Sequence, residues 1–106
     1  MAKFLVTVSY TESGAKGLRK DGGTERERVV RLAIEGLGGT LDAFYFALGQ
    51  YDAIVVADLP DSTSVAALTL AVAASGAAHC RTTPLLTPAE MDKAVSKTTA
   101  YRAPGA

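Results

Sequence analysis

Hydrophobic and polar positions alternate from the start of the chain. Lys3 to Tyr10 (KFLVTVSY) places Phe4, Val6, Val8 and Tyr10 on one face and Leu5, Thr7 and Ser9 on the other. A period of two among β-branched and aromatic residues predicts a strand. Thr11 to Gly23 carries turn signals at both ends, with one short helical stretch expected around Ala15 to Lys20. Thr24 and Glu27 then have capping-box spacing, in which the hydroxyl accepts the amide three residues on and the carboxylate accepts the first. The predicted helix runs to about Leu37. Val29, Val30, Ala33, Ile34 and Leu37 recur every three or four residues, Arg26, Arg28, Arg31 and Glu35 mostly take the wet side, and Gly38-Gly39 ends the pattern.

Leu41 to Leu48 (LDAFYFAL) and Tyr51 to Leu59 (YDAIVVADL) are two strand-like runs with only Gly49-Gln50 between them. Glycine at the first loop position suits a type II′ hairpin. That turn sets Ala47 opposite Asp52, Phe46 opposite Ala53, Tyr45 opposite Ile54 and Phe44 opposite Val55. One face of the hairpin then carries Ala43, Tyr45, Ala47, Asp52, Ile54 and Val56, and the other Phe44, Phe46, Leu48, Tyr51, Ala53 and Val55. Both faces are apolar.

Pro60-Asp61-Ser62 reads as a stop followed by a cap, opening a small, Ala-rich helix over Val65 to Ala74 that ends at Ser75-Gly76. Ala77 to Thr83 reads as a fourth strand, at an edge of the sheet because its propensity is weak. Thr87-Pro88-Ala89-Glu90 is a second capping box, with Pro at the first helical position, and launches a helix through Lys97. Residues 98–106 have no periodicity and form a frayed tail, so the expected domain is 1–97. Strand, helix, strand, strand, helix, strand, helix is the ferredoxin-like split βαβ order: an α+β fold with a four-stranded antiparallel sheet and an added C-terminal helix.

Such a sheet carries both helices on one side, and its other side should be polar in an isolated domain. Here either face of the hairpin leaves apolar residues uncovered. A homo-oligomer built by two-fold packing of sheet against sheet resolves this; the C-terminal helix folding over the second face of its own chain is the alternative.

Composition narrows the partners. Eleven Lys+Arg balance eleven Asp+Glu in 106 residues, a net charge of zero that argues against nucleic acid and anionic membranes. One Cys and one His exclude a disulfide framework and a structural zinc quartet, and no motif calls for a cofactor. The N-terminus runs directly into a strand pattern with no signal-peptide character, and no apolar run reaches membrane-spanning length, so the expected location is cytoplasmic.

The segments KFLVTVSYT, LGGTLDAFYFALGQYD, VVADLPD and LLTPAEMD together resemble the GYD-domain family, named for a Gly-Tyr-Asp motif. Gly49, Tyr51 and Asp52 correspond to it here, with Gln50 interposed. The resemblance extends over nearly the whole chain. It implies a fold similar to the dimeric α/β-barrel superfamily, whose paired sheets serve small oxygenases, isomerases, haem-degrading enzymes and ligand-sensing modules; the family itself implies no particular reaction.

Candidate chemistry rests on few residues. Asp52 shares a hairpin face with Tyr45, and a carboxylate beside a phenol can bind a polar ligand or move a proton, although Asp beside a Gly turn most often accepts backbone amides and Tyr51 would then merely pack. His79 and Arg81 share a strand face and could hold a carboxylate or phosphate, against a plain reading as solvated edge residues. Cys80, facing the other way, reads as a buried thiol. Gly14, Gly17, Gly22 and Gly23 match no phosphate-loop spacing. The leading expectation is a small oligomeric module binding an organic ligand through Tyr45, Tyr51, Asp52, His79 and Arg81. The alternative is a cofactor-independent monooxygenase or isomerase with Asp52 or His79 as base and Tyr45 or Arg81 steadying an anion. A lone His falls short of the ligand set that a haem or metal site needs.

Overall fold

A computed structural model describes residues 1–106. Its elements are β1 (Ala2–Tyr10), α1 (Glu12–Asp21), α2 (Gly23–Gly36), β2 (Thr40–Phe46), β3 (Ala53–Leu59), α3 (Ser62–Ala74), β4 (Ala78–Leu85) and α4 (Pro88–Ser96). The strands form one antiparallel sheet in the order β2-β3-β1-β4, which is ferredoxin-like. Strand β4 lies at an edge, as its weak propensity predicts. The alternation of β1 and β3 decides the layers: Phe4, Val6, Val55, Ala57 and Leu59 are buried beneath the helices, joined by Ile34 of α2 and Val65 of α3.

The predicted hairpin register is present, with Phe44 opposite Val55, Tyr45 opposite Ile54 and Phe46 opposite Ala53. The turn is different. Gly49 is not among the glycines with positive φ, so no type II′ turn forms, and Leu48 to Gln50 make an open bend. The ladder ends at the Ala47 amide, which donates to the Asp52 carbonyl at 2.9 Å. Asp52 is drawn towards β1: its amide donates to the Val8 carbonyl at 2.8 Å and its carboxylate accepts the Tyr10 amide at 2.8 Å. Those bonds fix the register and leave the loop no need of a tight turn. A bulge at Asp42 shifts β2 by one residue, so that Leu41 as well as Phe44 turns to the helices.

The Thr24–Glu27 capping box does not form. A single residue, Gly22 at φ +84°, ends α1 and begins α2, so Thr24 lies inside the first helical turn and its hydroxyl caps nothing. Glu27 instead accepts from Arg31 one turn on, at 2.8 Å. The short expected helix before it is longer, Glu12–Asp21, because Thr11 caps it by accepting the Gly14 amide. Asp61 caps α3 and accepts from the Ser64 amide, as expected, and the Thr87–Glu90 box opens α4 with both reciprocal bonds made.

Helix α4 does not fold over the open sheet face: every residue from Pro88 to Ala106 is exposed. The radius of gyration, 16.8 Å, exceeds the about 13 Å of a compact chain of this length, and the longest dimension is 57 Å. No helix is long and apolar enough to cross a membrane.

Candidate functional site: a cleft between the helices and the sheet

Helices α2 and α3 lie side by side over the sheet without closing on each other. Between them is a cleft of about 340 Å³. Its floor is the helix-facing alternation of β1 and β3, Val6, Val8, Ala53 and Val55, continued by Phe44 and Cys80 on the flanking strands. Its walls are Val30 and Ala33 of α2 and Leu68, Ala71 and Val72 of α3. Helix α3 is apolar nearly all round and rich in alanine, so it sits close to the sheet without filling the space beside it.

The end of the cleft is closed by α1, and the approach there is tight. A Cβ on Gly14 would stand 1.9 Å from the Ala77 carbonyl oxygen. The hydroxyls of Thr11 and Ser13 donate to the Gly76 carbonyl at 2.7 and 3.2 Å, and the Thr11 amide donates to the Ala77 carbonyl at 3.0 Å. These bonds moor the start of α1 to the α3–β4 turn, where Gly76 takes φ +75°.

Few polar groups reach the cleft. Thr69 and Ser75 line it, but their hydroxyls donate to the carbonyls of Val65 and Val72 within α3 and its cap. The Cys80 thiol is half-buried, and burial pushes its pKa up, which makes it a poor nucleophile. Tyr10 ends the core face of β1 with its phenol in the cleft; burial raises its pKa, partly opposed by the positive charge of Arg26. Arg26 lines the cleft from the first turns of α2. Its neighbours Arg28 and Arg31 are paired with Glu25 and Glu27, whereas the Arg26 guanidinium has no carboxylate within ion-pair distance.

The residues singled out from sequence lie elsewhere. Tyr45 projects from the open face of the sheet, 69% exposed. It stands in a cross-strand row with Ile54, Thr7 and Arg81, so Tyr45 and Arg81 occupy the two edges of one face, roughly 14 Å apart at ordinary strand spacing. His79 is exposed on the same face, opposite Ser9. Asp52 is exposed at the end of the sheet and its carboxylate accepts the Tyr10 amide; Tyr51 beside it is half-buried. The open face thus collects Tyr45, His79 and Arg81, while the cleft collects Tyr10, Arg26 and Cys80. Tyr10 was legible as the last member of the Phe4–Val6–Val8 face; Arg26, on the predicted wet side, carried no signal. No group of three His, Cys, Asp or Glu side chains gathers in a metal-ligating arrangement.

The GYD domain family model matches residues 4–95, from the first strand to the end of α4. No curated protein and no solved structure matches the chain. A match over so much of the 106 residues, on a sheet of the ferredoxin-like order, means that the chain belongs to the GYD-domain family.

Proposed function

We propose that this protein is a small ligand-binding module that seats a mostly apolar organic molecule, without turnover, in the cleft between α2, α3 and the sheet. The carrying observation is the cleft itself: its volume falls at the small end of the range for ligand sites, and an apolar lining with a few polar groups at one end is their usual character. Among the groups that line it with Tyr10, Cys80 has a raised pKa and Arg26 is a cation, and the one carboxylate, Asp21, is exposed at the rim. Asp52 and His79, the bases of an enzymatic reading, lie respectively against the Tyr10 amide and on the opposite sheet face. Ala33→Phe tests the proposal by filling the cleft from α2. Small molecules that raise the melting temperature of the native protein should lose that effect in the variant; retention of every shift would place binding elsewhere.

The module works as a homodimer, in which the open sheet faces of two copies pack together. Leu5, Ile54 and Val56 are only half-buried in the single chain and Tyr45 is exposed beside them, an apolar patch that a partner would cover. Helix α4 supports the same reading: nine residues with Met91 and Val95 exposed are too few to hold a helix in water without packing. The single free cysteine suits a reducing, cytoplasmic setting. Light scattering should give twice the chain mass at micromolar concentration, and a monomer mass there would refute the assembly.

A further inference from the structure

The polar groups of the cleft are unevenly placed. Tyr10, Arg26 and the exposed Asp21 stand where β1 ends and α2 begins, whereas the floor formed by Val6, Val8 and Val55 is wholly apolar. Of the three, Arg26 is half-buried and has no ion-pair partner, while Arg28 and Arg31 on the same helix each have one. A partly buried cation left unpaired is unfavourable unless water or a ligand compensates it, so an incoming anion gains more here than at the surface. The carboxylates nearby do not supply that compensation. Asp52 accepts from the Tyr10 amide, and Asp21 lies exposed at the end of α1, beyond ion-pair distance of Arg26. The Tyr10 hydroxyl, in no hydrogen bond within the chain, can donate to the same anion.

We propose that the cleft selects a carboxylate with an apolar tail, the tail lying on Val6, Val8 and Val55 and the head group held by the Arg26 guanidinium and the Tyr10 hydroxyl. This rests on the reading of the cleft as a binding site, and it adds the charge of the ligand and the residues that read it. A neutral tail of the same length gains only the floor. An ammonium head meets Arg26 and is repelled.

Calorimetric titration of the full chain with octanoate, 1-octanol and octylammonium separates these cases. Cys80 supplies the location, because it is the chain's only cysteine and lines the floor, so a ligand in the cleft must slow its alkylation. Octanoate should bind at least about tenfold more tightly than octanol, the scale of one charge-assisted hydrogen bond, and should protect Cys80. Arg26→Gln should erase that preference while octanol still binds and protects; Arg26→Lys should restore most of it; Tyr10→Phe should weaken octanoate alone. Equal binding of octanoate and octanol, tighter binding of octylammonium, or a preference that survives Arg26→Gln overturns the assignment of the head group and leaves the cleft reading intact. No binding and no Cys80 protection by any of the three overturns both.

Discussion

Neighbouring residues on β3 live in different surroundings. Ala53, Val55, Ala57 and Leu59 are buried beneath the helices, whereas Ile54, Val56 and Asp58, which alternate with them, are half-buried on the open face. Along the sequence Val55 and Val56 are indistinguishable. In the fold, Val55 is 3% exposed and belongs to the core, and Val56 is half-buried on the open face. Apolar side chains on the two faces of one strand therefore differ in what covers them: the chain's own helices bury one set and leave the other half-exposed. The open face also mixes in charge at one end: Lys3 reaches both Asp42, at the bulge, and Asp58, opposite it in register, and the two carboxylates raise its pKa. The helix face has no charge buried in it.

The sharpest way to break the symmetry of the two faces is to put the same charge on each. Val55→Asp should abolish stable folding, because an unpaired carboxylate in the core is unfavourable by roughly 4 kcal/mol or more, a large part of a small domain's stability. Ile54→Asp should leave the circular dichroism spectrum unchanged and convert the proposed dimer to monomer in light scattering. If both variants unfold, the open face is as much core as the other.

The next largest effect concerns how tightly α1 closes the helix side. Gly14→Ala drives a methyl into the Ala77 carbonyl and should destabilise by roughly 3 kcal/mol in urea unfolding. Gly17→Ala, one turn along the same helix, has nothing within 4 Å of the new atom and should gain up to about 1 kcal/mol from helix propensity. Opposite signs are expected; a neutral Gly14→Ala would mean that α1 is not moored at the α3–β4 turn.

Asp52 sits where the two faces meet. Asp52→Ala removes the acceptor of the Tyr10 amide and should lower stability by about 1 kcal/mol, with no change in ligand-induced thermal shifts. A loss of ligand response without a loss of stability would return Asp52 to the binding site.

The smallest effect is a pH dependence at the helix cap. Bonds from the Ser64 hydroxyl and amide and from the Thr63 hydroxyl hold the Asp61 carboxyl below its usual range. A depressed folded-state pKa contributes stability above the unfolded value of about 3.9, and that contribution fades as pH falls through the folded value. The urea midpoint of Asp61→Ala should therefore lie below that of the native protein at pH 7 and converge with it in acid. A gap that persists at low pH would assign the effect to something other than the charge of the cap.

Much of this was legible along the chain. Element order, the Asp61 cap and the Thr87–Glu90 box depend on residues within a few positions of each other, and local hydrogen-bonding geometry decides them. The hairpin register was legible from the alternation as well, although the bonds from Asp52 to β1 are what hold it. The Thr24 box failed because Gly22 serves two helices at once, a fact about chain direction rather than spacing. The Gly49 turn failed because Asp52 is bound to β1, more than forty residues away in sequence. The cleft was illegible for a related reason. Tyr10 and Arg26 come together only because the chain doubles back at Gly22 and brings the start of α2 over the sheet, and the arginine's place on its helix looked like any solvated position.

What the sequence determined by itself was the set of elements, the alternation within each strand and the presence of apolar side chains on both faces of the sheet, because periodicity and capping are properties of neighbouring residues. Only the tertiary structure decided which face the helices cover, that α2 and α3 stop short of each other over Val6 and Val55, and that Tyr10 and Arg26 share the end of the resulting cleft. Those outcomes depend on contacts between segments distant in sequence, where small residues such as Gly14 and Ala77 set how closely backbones approach, and no local pattern encodes that distance.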